Sequence, residues 1–165
     1  MSTLLALVDT FKFNRDRTLK TLSTIEAESN PRAVLGWRPG PGRTHIGWQL
    51  THIGITEELF ASDRLGLKKP PAFAELFDRF RGGSTPDDDV PAPELIRRIL
   101  TETRERLLAT VNQLDEQRLD EIPEGLLKDR GWSLRTALQV IAWHEPHHQG
   151  QAHITHNLYK AAHSK

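Results

Sequence analysis

No cysteine occurs anywhere in this chain of 165 residues. That absence removes disulfides, thiolate catalysis and thiolate metal sites, leaving His, Asp and Glu as the side chains able to hold a metal. Excess charge of either sign is missing as well, with 22 Lys and Arg against 22 Asp and Glu. A nucleic-acid partner, which calls for a basic face, is therefore not expected. No apolar run reaches the ~18 residues that suggest a membrane span. The segment Ser2-Thr3-Leu4-Leu5-Ala6-Leu7-Val8-Asp9 has no basic stretch before it and no small-residue cleavage site, so it does not read as a signal peptide, and a cytoplasmic chain is expected. Sustained period-two alternation is lacking, which argues against a sheet. The length suits one domain, residues 1–165, with a core of its own.

What the chain does have is helical period. Leu4, Val8, Phe11, Thr18, Leu22 and Ile25 recur at three- and four-residue intervals between Thr3 and Glu28, and Pro31 closes that run. The Pro/Gly-rich stretch from Gly36 to Arg43 is a loop. A second long helix is expected from Thr44 to Leu65, with Ile46, Leu50, Ile53 and Phe60 facing a core and Glu57 and Glu58 on the exposed side. A short helix from Ala72 to Phe80 follows, and then a solvated turn around Asp87, Asp88 and Asp89. That turn lacks the glycine and distal glutamate of a calcium loop. The third long helix starts near Pro93, carries Leu95, Ile99, Leu107, Val111 and Leu114, and presents Glu102, Arg104, Glu105 and Arg106 as a wet surface. The fourth opens after Trp132, capped by Ser133, and runs to about Ala162. The expected fold is all-α, a four-helix bundle with a short extra helix between the second and third long helices.

Eight histidines stand out, five of them in the segment from Ala142 to His156. His144 and His148 lie four apart, so a helix stacks both imidazoles on one face. Roughly 0.4 such pairs arise by chance at this histidine content, so the pair needs a third ligand to carry weight. His52 is the best candidate, and three histidines would leave open positions on a metal, as catalytic sites do. His52 is equally explained, taken alone, as a hydrogen-bonded core residue. His45, Gln49, Trp48, Glu145, His147 and Gln151 could line the pocket or hold the ligands in place, with Trp143 as a further wall. Asp63, Glu57 and Glu58 are alternative oxygen ligands. His153, His156 and His163 read as surface residues. Pro146 removes the amide that would bond the Ala142 carbonyl, so the last helix either kinks, freeing that carbonyl for another donor, or breaks. Gly150 allows a close approach of a neighbouring helix or ligand.

His144-Glu145-Pro146-His147-His148-Gln149-Gly150-Gln151 resembles the H-x-x-x-H-x-G-Q signature on the last helix of the DinB/YfiT-like superfamily. Thr44 to Ile53 is similar to its second-helix pattern, in which an aliphatic residue precedes the ligand histidine by six. The resemblance implies a bundle with an unusual helix order. It also implies a divalent transition metal (nickel, zinc or iron) on His52, His144 and His148, and a homodimer. Relatives with known reactions use low-molecular-weight thiols, among them mycothiol-dependent isomerases and bacillithiol transferases. His45 departs from the small capping Ser or Thr of the family and could line the site instead.

The expectation is then a metal-dependent enzyme of thiol-transferase or hydrolase type acting on a small molecule, such as a low-molecular-weight thiol. The alternative is a non-enzymatic stress or interaction bundle whose metal is structural or vestigial. Catalytic acid and base are not identifiable; Glu145, Gln49 and His45 are the nearest in sequence.

Overall fold

The computed structural model describes residues 2–65 and 68–164. In chain order the helices are α1 (Thr3–Glu26), α2 (Pro31–Gly36), α3 (Ile46–Leu59), α4 (Phe77–Phe80), α5 (Pro93–Val111), α6 (Leu126–Asp129) and α7 (Leu134–His163). No strand occurs among the described residues, so the chain is all-α. The four long helices, α1, α3, α5 and α7, pack as a ring in which α1 touches α7 and α5, and α3 touches the same two. First and last helix are thus neighbours, and α1 stands diagonally from α3.

Local chemistry sets the ends. Ser133 Oγ accepts from Thr136 N at 3.2 Å to start α7. Pro31 does more than stop α1: with Asn30 as cap it opens α2, where a missing N–H costs nothing. α7 continues unbroken through Pro146, and the carbonyl of Ala142 that proline leaves free accepts from Asn14 Nδ2 of α1 at 3.0 Å. α3 ends in a wide π-helical turn, Phe60–Arg64. The close approach of helices falls at Gly54, where a Cβ would sit 2.5 Å from Ile99 Cγ2 of α5, and not at Gly150, which faces open space.

The core is divided. One apolar cluster contains Val8, Phe11, Phe60, Leu107, Val111, Leu138 and Ile141. Another contains Leu22, Ile25, Leu50, Ile53, Ile96, Leu100 and Ala152. Arg15, Glu57, Arg104 and Glu145, one from each long helix, lie at register positions between them. Arg15 reaches Glu57 at 2.7 Å and Glu145 at 2.9 Å, and Arg104 contacts both carboxylates. The expected wet surface on α5 is therefore corrected at Arg104, which is 5% exposed, and the expected exposed side of α3 at Glu57, which is 1% exposed. Glu58 is buried too, held by Arg106 Nε at 2.8 Å and by the amide of Ala72 at 3.0 Å. The reason is coverage: the chain from residue 68 to 90 folds back over α3, which is buried at every residue but Leu59.

The aspartate turn is likewise tied down. Arg79 grips Asp87 and Asp89, and Arg38 binds the carboxylate of Asp88 and the carbonyls of Pro86 and Asp87.

Candidate metal centre

His52 on α3 and His144 and His148 on α7 bring one ring nitrogen each within 4.8 Å of one another. His144 Nε2 and His52 Nε2 are 3.1 Å apart. Two nitrogens on one tetrahedral ion, each ~2.1 Å from it, stand roughly 3.4 Å apart, so the spacing suits a shared cation.

On His52 and His148 the other ring nitrogen is occupied, and that fixes which of their lone pairs points inward. α4 has only one turn, so its last carbonyls have no partner within the helix. α3 supplies the donors. His52 Nδ1–H donates to Phe80 O at 2.6 Å and Trp48 Nε1–H donates to Arg79 O at 3.1 Å. His52 then presents a bare Nε2. Trp48 also stacks on the His52 ring at 4.5 Å between centroids and 13° between planes, which holds its orientation. On the other side His148 Nδ1–H donates to Gln49 Oε1, while Gln49 Nε2–H donates to Thr44 Oγ1. The amide is thereby oriented and Nε2 of His148 is the free nitrogen.

Electrostatics agree. Burial first, then the neighbouring histidines, push His144 down to about 2 and His148 down to about 3. Burial also lowers His52, against the Phe80 carbonyl that raises it. All three are neutral at pH 7, the form a metal requires. Three converging neutral imidazoles, with Nε2 bare on His52 and His148, are a donor set matched to a cation, and the residues fit a divalent transition metal.

The other expected site residues are distributed differently. Gln49 and Trp48 buttress the ligands as described. His45 does not line the cleft: it is itself the α3 cap, its Nδ1 accepting from Trp48 N at 3.0 Å and its Nε2–H donating to Asp87 O at 3.0 Å. Glu145 points into the buried ion layer rather than toward the histidines. His147 lies outside the cluster, stacked on exposed Trp143 at 4.6 Å and bonded to Gln151 at 2.9 Å, so these three form a surface group. Of the alternative oxygen ligands, Asp63 is exposed beside Lys68, and Glu57 and Glu58 are bound to arginines. His153 and His163 are exposed as expected, but His156 is buried and paired with Glu28 at 2.8 Å.

His52 and His144 form part of the wall of a cleft of about 590 Å³, bounded also by Thr56, Phe60, Arg64, Arg81, Arg130 and Trp132. Sequence reasoning did not reach the arginines. Arg64 depends on the π-helical turn, and Arg130 comes from a connector with no period.

An all-helical bundle with three histidines from two facing helices defines a class, a helical protein with a donor set able to hold a metal ion beside a cleft. The sequence profile of the DinB superfamily matches residues 10–152, and the chain belongs to that superfamily. No curated protein matches it in sequence. In fold it is similar to a conserved protein of Enterococcus faecalis known from a crystal structure. That likeness has a TM-score of 0.69 at 17% identity, over 96% of this chain and 97% of the other.

Proposed function

We propose that the protein is a metal-dependent enzyme of thiol-transferase or hydrolase type acting on a small molecule. One observation carries this: among the described residues the cluster has three ligands, where a structural site has four, and two of the three line a cleft. A divalent metal held by three neutral imidazoles would keep its +2 charge and acidify a water or thiol brought to it. The chain's own part is to aim the nitrogens through Phe80, Trp48 and Gln49, and to admit the substrate past Thr56. Metal analysis of protein prepared without chelators tests the reading. About one equivalent of nickel, zinc or iron is expected in wild type, and less than a tenth in His52→Ala. A transition-metal content below a tenth in wild type, unrestored by added metal, would sink it. A fourth protein ligand found on the bound metal would favour the structural alternative.

We further propose a homodimer through α7. Trp143, Ile154 and Leu158 are exposed at spacings that fall on one stripe of that helix, beside Gly150 with its open face. Sedimentation should give twice the chain mass, and Ile154→Glu with Leu158→Glu should halve it; a monomeric wild type would refute the dimer.

A further inference from the structure

The cleft beside the histidines carries more positive than negative charge among the described residues. Arg64, Arg81 and Arg130 line it against a single carboxylate, Asp78, which is already paired with Arg81 at 3.2 Å. The guanidinium groups of Arg64 and Arg130 form no ion pair and donate no hydrogen bond among the described residues, whereas those of Arg15 and Arg104 in the bundle interior do both. Each is instead laid on an aromatic face, Arg64 at 4.9 Å over Phe60 and Arg130 at 4.8 Å over Trp132. Stacking holds a guanidinium flat and leaves its N–H edge free, which is the arrangement that grips a planar or tetrahedral oxyanion.

The two are close enough to repel. Burial, followed by the Arg130 charge, holds Arg64 below the ordinary arginine value, though Asp63 acts the other way. The Arg64 charge is also felt at His144. Arg64 owes its place to the π-helical turn, since one added residue in the turn swings the side chains after it around the helix axis. Two repelling cations held at a cleft from separate segments, α3 and the end of α6, are stabilised by an anion between them.

We propose that the cleft takes a small molecule bearing a carboxylate or phosphate, its oxyanion gripped by Arg64 and Arg130 and its other end directed at His52 and His144. The second half of that statement rests on the metal reading above; the first half does not.

Two titrations of the full chain separate them. Cobalt(II)-loaded protein is titrated with 3-mercaptopropionate and with 2-mercaptoethanol, following the thiolate-to-cobalt charge-transfer band. The acid should bind about tenfold or more tightly than the neutral thiol, the range a charge-assisted pair supplies. Arg64→Gln with Arg130→Gln should erase that advantage and leave 2-mercaptoethanol within about twofold of wild type. Metal-free protein is then titrated calorimetrically with pyruvate and with inorganic phosphate. Binding of either that is lost in the double variant supports the arginine pair without any metal, and the tighter of the two assigns the oxyanion. A protein that takes up no cobalt yet binds the anion sinks the metal reading and keeps this one. Equal affinity for the two thiols together with no anion binding to the metal-free chain overturns it, as does an advantage that survives the double substitution.

Discussion

His144 and Glu145 are neighbours in α7 yet belong to two polar clusters of opposite design. The ion layer of Arg15, Glu57, Arg104 and Glu145 is sealed, each residue at most 5% exposed, and two cations cancel two carboxylates. The histidine cluster lies on two of those four helices, with His52 five residues before Glu57 on α3 and His144 one before Glu145 on α7. It faces a cleft and holds donors without a matching acid. The first cluster balances its charge within the chain, although Arg104 Nε and Nη1 find no acceptor; the second is complete only with a cation. A buried layer that neutralises itself can serve structure alone, whereas uncompensated lone pairs at a cleft call for a ligand.

The sharpest way to break the comparison is to remove one member of each. Glu145→Ala should destabilise the fold by about 3–5 kcal/mol, because it leaves Arg15 and Arg104 sharing the Glu57 carboxylate, with one buried charge uncompensated. At this chain length that lowers the melting temperature by about 10 °C. His148→Ala should cost the metal-free fold only about 1 kcal/mol. Thermal melts of the two variants without metal check this, and equal losses would mean that the ion layer is no more structural than the ligands. Replacing all four charges together by Met and Leu should be near neutral, since burying an ion pair gains little over apolar packing.

Much of the molecule could be read from its residues. Apolar period placed the four long helices, because each buries one stripe and the stripe recurs every three or four residues. The spacing of His144 and His148 marked the site, and the freed Ala142 carbonyl did find its donor in Asn14. The ion layer escapes a residue-by-residue reading, which sends Glu57 and Arg104 to the surface and Glu145 to the pocket. Yet Arg15 falls in step with Phe11, Thr18 and Leu22, and Glu57 with Leu50, Ile53 and Phe60. Arg104 falls in step with Leu100 and Leu107, and Glu145 with Leu138 and Ile141. Four charged residues of zero net charge, each on the core stripe of a different helix, were a usable signal. It was overlooked because burial of an ion is a property of the pair, not of the residue. His45 as a cap and the arginines of the cleft depend on the path of the connectors, which no periodicity encodes.

A smaller effect separates ligands from their supports. Gln49→Leu keeps the three imidazoles but removes the acceptor that orients His148, so metal affinity should fall about 10- to 100-fold, the range found for such partners. His148→Ala should exceed that range. Competition with a chromophoric chelator measures both. Unchanged affinity in Gln49→Leu would mean that His148 finds its orientation without the amide.

The least of these effects is in pH, and its sign follows from the direction of the shifts. The ordinary value for a histidine is 6.5, and in the folded chain His144 is lowered to about 2, His148 to about 3 and His52 also downward. As pH falls below 6.5 the unfolded chain takes up protons that the folded one refuses, so the metal-free protein should lose stability steadily from pH 6.5 toward 3. Glu57, raised chiefly by burial, opposes this, so the comparison must be internal. His144→Gln with His148→Gln should flatten the slope while leaving Glu57 in place. The same shifts govern metal uptake. At pH 6 three ordinary imidazoles would release roughly two protons on binding, whereas here His144 and His148 are already neutral and His52 is lowered, so fewer should be released and affinity should fall less steeply between pH 7.5 and 5. Calorimetry in buffers of different ionisation enthalpy counts the protons directly. Release of two would show that burial does not keep these rings neutral, and the contrast between a charged layer and an uncharged one would be lost.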